Sequence, residues 1–352
     1  MESPPVPAAI AAAAINETIE TPHPLLTDMN ILSGTDLMAA PRRFGHVVHN
    51  YCLALMMALC ACAGLSAEQT SQTFATPEDA VAALVTAADK QESAALHNIF
   101  GAAAAEMESS DRVQAANEQR AFASALNRET QIVRESDSRC VLEVGERHWP
   151  YPIPIVKKDG RWLFDADAGK EEVVNRRIGK DELAALHVLR ACVEAQREYA
   201  SQDRDGDEVL EFAQRFISTP GTKDGLYWTA EPEGELSPLG PLVARAQHLG
   251  YANQPQDLGA SGEPFHGYFF KILTRQGSHA AGGKYDYIIN GNMIGGFAFS
   301  AWPASYGETG IMTFIVNQQG RVYQKDLGAK TPKLVEAMKE YDPDKTWSVS
   351  LD

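Results

Sequence analysis

Asp203, Asp205 and Asp207 alternate within Asp203-Arg-Asp-Gly-Asp207, and Glu211 follows one helical turn later in sequence. Alternating carboxylates in a tight turn can converge on calcium, a hard cation that takes roughly six to eight oxygen ligands. The order is not that of an EF-hand. Counted from Asp203, such a loop needs Gly at its sixth position and Glu at its twelfth, where this chain has Glu208 and Gln214. Asp and Gly also make turns unaided, because an Asp side chain bonds nearby backbone N–H groups and Gly accepts positive φ. Two readings stay open: a calcium loop of Asp203, Asp205, Asp207 and Glu211, or an acidic turn between two helices.

The remaining polar side chains are dispersed. His97, His148, His187, His248, His266 and His279 have no ligand spacing, and His266, in Pro-Phe-His-Gly-Tyr, stands where a strand should begin. Arg176 and Arg177 could hold an anion, but Glu171 and Glu172 beside them favour ion pairs. Trp149, Trp162, Trp228, Trp302, Tyr227 and Tyr268 lie among prolines and glycines, as a sugar or peptide platform would, or as aromatic packing beneath loops would. The chain contains no Gly-x-Ser-x-Gly elbow, P-loop, His-Glu-x-x-His, Cys-x-x-Cys or dinucleotide glycine pattern. Soluble nucleotide chemistry is therefore a poor fit.

The first 67 residues read as an address. Arg42 and Arg43 precede the uncharged run Tyr51–Leu65, and small residues lead to Ala67 before the polar Glu68-Gln-Thr-Ser-Gln. A positive region, a short apolar region and small residues at a cleavage point make a secretory signal peptide over residues 38–67. The apolar run is shorter than the roughly 20 residues a spanning helix needs. Translation starting at Met38 would make residues 1–37 a non-native or disordered extension. Cleavage after Ala63 or Ala67 competes with a lipobox reading of Leu59-Cys-Ala-Cys62, in which Cys62 is lipidated and becomes the membrane anchor. The expected location is periplasmic, or anchored on the periplasmic side of a membrane. Cys140 and Cys192 remain after cleavage at Ala67. An oxidising compartment would let them pair as a disulfide; buried small apolar residues are the alternative.

The chain carries 47 acidic and 31 basic side chains, a net charge of −16. Without the leader the balance is 42 to 29, still net −13. Such a surface repels phosphate backbones and anionic head groups, so no nucleic-acid partner is expected.

The elements that would carry these groups fall into two parts. Thr76-Pro-Glu-Asp79 opens a helix, another runs near Arg112–Asn127, and four period-two segments follow: 131–134, 139–144, 151–157 and 161–165. Lys158-Asp-Gly160 makes a tight hairpin. Helices followed by a curled antiparallel sheet suggest an α+β cone of the NTF2/cystatin type over residues 74–170. Gly179 to Ser201 keeps an apolar face through Leu183, Leu186, Leu189 and Val193, and reads as the longest helix. A further helix is expected over Glu208–Ile217 and a short one at Leu242–Leu249. An antiparallel meander then turns at Asn317-Gln-Gln-Gly320.

Taken together, these segments resemble the DUF2950 family of bacterial envelope proteins, which has no established activity. The resemblance runs from Phe74 to Trp347. It rests on Trp149-Pro-Tyr-Pro-Ile-Pro, Arg176-Arg-Ile-Gly-Lys-Asp-Glu-Leu183, Asp224-Gly-Leu-Tyr-Trp228, His266-Gly-Tyr-Phe-Phe270, Ala301-Trp-Pro-Ala-Ser-Tyr-Gly307 and Met312-Thr-Phe-Ile-Val-Asn317. Residues 179–352, a long helix followed by a Gly-Tyr-Phe-Phe strand and a Thr-Phe-x-Val-Asn-x-x-Gly hairpin, also resemble the globular heads of type IV pilins and type II secretion pseudopilins. Pseudopilin heads often use a calcium loop, which the acidic turn would match. The charged start Gly179-Lys-Asp-Glu departs from the apolar stem through which pilins polymerise. The expected function is a non-enzymatic envelope protein that binds a partner or self-assembles. The alternative is a small-ligand-binding protein or hydrolase-like enzyme using the hollow of the first part, with His148, Asp165 and Asp167 as its polar groups.

Overall fold

Thr76 and Asp79 cap one another: Asp79 N–H donates to Thr76 Oγ1 at 3.0 Å, and Thr76 N–H donates to Asp79 Oδ2 at 3.2 Å. This capping box starts α1 (Pro77–Asp89) at the position its sequence marks. The computed structural model describes residues 71–229, 234–251 and 262–350. Residues 1–37, the leader over residues 38–67 and Cys62 lie outside the described residues.

Three more helices follow, α2 (Ser93–Phe100), α3 (Ala103–Glu106) and α4 (Arg112–Arg128). They pack on an antiparallel sheet of β1 (Thr130–Ser136), β2 (Arg139–Val144), β3 (Trp149–Pro150), β4 (Ile155–Lys158) and β5 (Arg161–Phe164), in the order β1-β2-β4-β5 with β3 on β2. Asp159 and Gly160, at φ 51° and 79°, make the β4–β5 hairpin. Its positive φ values match the twist of the paired strands. Leu84, Ile99, Leu142, Ile153, Ile155 and Phe164 fill the space between helices and sheet. The hollow of this part is thus a packed apolar core.

α5 (Ala166–Tyr199) is 34 residues long and begins well before Gly179, where its start was expected. The stretch Lys170-Glu-Glu172 lacks an apolar stripe, so periodicity is silent there, yet the helix is continuous. A side chain at Gly179 would meet nothing within 4 Å. Gly in a helix interior costs only about 1 kcal/mol relative to Ala, a cost offset by packing at both ends of the rod. The first end seats against the Pro-rich segment: a Cβ on Gly169 would lie 2.7 Å from Ile153 Cα and Pro152 O, so only Gly fits this approach.

The distal half of α5 lies on a second core, with α6 (Gly240–His248) beside it. The main sheet joins β6 (Tyr268–Leu273), β11 (Ala298–Pro303), β12 (Met312–Asn317), β13 (Tyr323–Asp326) and β15 (Ser348–Val349), antiparallel in the order β15-β13-β12-β11-β6. α7 (Thr331–Ala337) packs against β11. Every residue of β11 is buried, as a strand covered on both faces must be. Smaller pairings complete the fold: β7 (Arg275–Gln276) with β8 (Tyr285–Asp286) and β14 (Glu340–Tyr341), and the hairpin of β9 (Ile288–Ile289) with β10 (Asn292–Met293). The fold class is α+β, and none of its sheets closes into a barrel.

The helix expected over Glu208–Ile217 does not form. Glu208 sits at φ 68°, Phe212 bridges to Met293, and Ile217 bridges to Tyr227. Distant partners claim the backbone groups that a helix would have used internally. The segment 285–289 is split between β8 and β9.

Candidate binding surface and a buried polar junction

The C-terminal end of α5 carries the acidic loop. Arg204 donates to Tyr199 O at 3.3 Å and Glu198 O at 3.2 Å, closing the last turn of the helix, and pairs with Glu235. Asp203 then turns the chain: Gly206 N–H donates to its Oδ1 at 2.7 Å and Glu208 N–H to its Oδ2 at 2.9 Å. Those two backbone donors hold the Asp203 carboxyl below its ordinary range. Oxygens of Asp203, Asp205 and Asp207 come within 4.8 Å of one another, all exposed, the one such grouping of metal-competent side chains among the described residues. Glu211 stays out of this group. Its Oε2 accepts Met293 N–H at 2.7 Å, and its pKa is raised, chiefly by burial.

Further hydrogen bonds tie the loop to the β9–β10 hairpin. Asn292 Nδ2 donates to Asp207 Oδ2 at 2.6 Å, and Gln214 Nε2 donates to Gly291 O at 2.6 Å. Phe212 N–H donates to Met293 O at 2.9 Å. Leu210 (60 % exposed), Ile289 (46 %) and Ile294 (45 %) stand exposed on the segments these bonds join. Single exposed apolar residues are ordinary; three on segments pinned to one acidic loop make a composite apolar and acidic surface.

A second polar cluster lies where α4, α5 and the turn before β6 meet. Asp111 caps α4 through Oδ1, which accepts Gln114 N–H at 2.9 Å. Its Oδ2 accepts from Tyr251 Oη at 2.8 Å and from Gly267 N–H at 3.0 Å. His266 N–H donates to Tyr251 Oη at 3.2 Å. His266 and Gly267 take φ 50° and 71°, a left-handed turn whose consecutive N–H groups donate to the phenol and to the acid respectively. Across from it, Asp181 on α5 is fully buried, and Gln114 Nε2 donates to its Oδ1 at 2.5 Å. Its Oδ2 has no hydrogen-bond partner; a Cβ on Gly267 would come 2.7 Å from it. Burial pushes the Asp181 carboxyl up to about 8 and lowers His266 to about 4. Sequence reasoning missed this cluster, because Asp111, Asp181 and His266 are about 70 or more residues apart and no local motif joins them.

The other sequence candidates do not converge. His148 is exposed, 3.4 Å from Glu143; Asp165 pairs with Lys158 at 3.3 Å and Asp167 with Lys170 at 3.4 Å. Two surface grooves, about 340 Å³ between α1 and α2 and about 260 Å³ beside Arg275 and Lys339, involve none of them. Arg176 pairs with Glu172 and stacks over Trp149 at 4.7 Å. Arg177 donates to the carbonyls of Met107 and Glu108, completing the end of α3. Trp162, Trp228, Trp302 and Tyr268 are buried, which is packing and not a platform. The cysteine pairing is corrected: Cys140 and Cys192 are free thiols, one in each apolar core. Among the described residues no helix is long and apolar enough to cross a membrane.

With this geometry in hand, a family model described as "Protein of unknown function (DUF2950)" matches residues 71–350. The chain belongs to the DUF2950 family. The match spans both cores, so the DUF2950 unit is the whole assembly built on α5 and not either half. No curated protein and no solved structure matches it. The likeness of α5 and its sheet to pilin heads therefore finds no counterpart among solved structures.

Proposed function

We propose that this DUF2950 protein is an exported cell-envelope protein that works by binding a protein partner and not by catalysis. The observation that carries the reading is that Leu210, Ile289 and Ile294 stand exposed on segments hydrogen-bonded to one another at the Asp203–Asp207 loop. The partner it fits is a protein face that is basic and partly apolar. A second copy of this chain is disfavoured by the shared negative charge, net −13 without the leader. Export is supported by Arg42, Arg43, the apolar run Tyr51–Leu65 and the small residues before Ala67. Intact mass of the protein recovered from cells distinguishes cleavage after Ala63 or Ala67 from lipidation at Cys62.

Calcium belongs to the same proposal. Three carboxylates beyond the negative end of a long helix make a local field that favours a cation. The ligands would be Asp203, Asp205 and Asp207, with Glu211 held away by Met293. An exposed site of this kind belongs to the weak class, on the order of 10⁻⁴ to 10⁻³ M.

The deciding experiment places a photo-crosslinking residue at Asn290, on the hairpin tip, in cells, with Asp137 as the control position. A partner captured at Asn290 and not at Asp137, and lost in Ile289→Ser/Ile294→Ser, supports the reading. Equal capture at both positions, or capture indifferent to the isoleucines, removes it.

A further inference from the structure

We propose that Asp181 is a proton-operated latch, whose neutral carboxylic acid holds α4 and the Phe265–Tyr268 turn against α5 and whose ionised form releases them.

The Asp181 carboxyl faces Gln114 and Glu118 of α4 and the helix's capping Asp111; from α5, its neighbour Lys180; and then Tyr251 and Tyr268, with Gly267 packed against it and His266, which senses Lys180, Arg245 and Glu118, next in the chain. Its one donor is the neutral amide of Gln114, which also donates to Glu118 at 3.0 Å. Lys180, the nearest cation, is committed to Glu118 at 2.5 Å. Asp111 is the anion of the cluster, with the N–H groups of Gln114 and Gly267 and the Tyr251 hydroxyl all donating to it. An ionised Asp181 would be a second negative charge, fully buried, with Oδ2 lacking any donor. A buried charge without a partner is avoided by keeping the proton.

The position makes the proton consequential. Gln114 links α4 of the first core to α5, while Gly267 presses the turn of the second core onto the same carboxyl. Ionisation draws in water, and water has no room unless the turn or α4 withdraws. Burial keeps the acid neutral up to about pH 8, so the latch opens on the alkaline side of neutrality.

Hydrogen exchange on the full chain tests this at about pH 6 and about pH 9, either side of the titration. After correction for intrinsic exchange, wild type should lose at least about tenfold of its protection over residues 111–119 and 265–268 at the higher pH. Asp181→Asn, which mimics the neutral acid, should lose none. The same pH response in both proteins overturns the proposal. Should Asp181→Asn not fold, carboxyl ¹³C resonances of aspartate in wild type decide. One resonance titrating near 8 supports the latch, and every resonance titrating below about 6 overturns it.

Discussion

Gln196 and Ala213 exchange two hydrogen bonds: the amide Nε2 donates to the Ala213 carbonyl, and the Ala213 N–H donates to Oε1, both at 2.8 Å. Both residues are buried, so a side chain of α5 acts as one rung of strand pairing for a segment that would otherwise read as helix. Replacing Gln196 with Leu leaves a buried N–H and carbonyl without partners. Each such group costs about 1–3 kcal/mol, so denaturant unfolding should show a loss of roughly 2–6 kcal/mol. A loss under about 0.5 kcal/mol would mean that the segment is held elsewhere.

The pH profile of stability has a predicted shape. Asp181 keeps a proton that the unfolded chain loses near 3.8, so its contribution is lost as pH rises through about 8. His266, lowered from 6.5 to about 4 by burial and then by Lys180 and Arg245, works the other way, and its contribution is lost as pH falls through about 4. The two slopes cancel between about 4 and 6.5, and above that Asp181 acts alone. Wild type should therefore lose roughly 2 kcal/mol relative to Asp181→Asn between about pH 6.5 and 8, at about 1.4 kcal/mol per unit. Parallel profiles of the two proteins in denaturant titrations would refute this.

Asp111 collects donors from α4, from the segment after α6 and from the turn before β6. Asp111→Ala strands all of them and should cost about 3–5 kcal/mol, the range for breaking a buried charged network. Tyr251→Phe removes one donor and should cost only about 1–2 kcal/mol. Thermal melts of both variants, compared with wild type, check the ranking.

Cys140 and Cys192 should remain separate thiols. Unfolding under an alkylating agent, without reductant, should label both, and peptide mass mapping should find no linked pair. In the folded protein Cys192 should resist labelling, because it is buried and its thiol is pushed up to about 12, leaving almost no thiolate.

Calcium should raise the melting temperature, with EGTA reversing the rise and Asp205→Asn removing it. At about ten times a millimolar-class Kd the stabilisation is near 1.4 kcal/mol. An unchanged melt at that concentration would leave the loop as a plain acidic turn.

What could be read from the chain follows the range of the interaction concerned. The Thr76 cap and the Asp159-Gly160 hairpin are settled within four residues, and each lies where the local chemistry puts it. The apolar face of α5 from Leu186 to Val193 was equally legible, since helical spacing reports burial directly. Its first half was not, because Lys170-Glu-Glu172 is solvated and Gly179 imitates a boundary. Val209, Phe212, Ala213 and Phe216 have helical spacing, yet Phe212 binds Met293 and Ala213 binds Gln196, partners that no short window of sequence contains. The same holds for the junction: Asp111, Asp181 and His266 look like ordinary surface residues until the fold brings them together.

The continuity of α5 also bears on how this protein can be taken apart. At 34 residues it is a beam of about 51 Å, with an apolar core seated at each end and no flexible joint between. Cutting at Gly179, where the sequence invites a division, would sever the beam mid-span and leave both fragments with a frayed helix. Cuts made outside Ala166–Tyr199 would preserve it. Because the beam fixes the spacing between the cores, a partner gripping the acidic loop at its far end would exert leverage on the Asp181 junction midway along it.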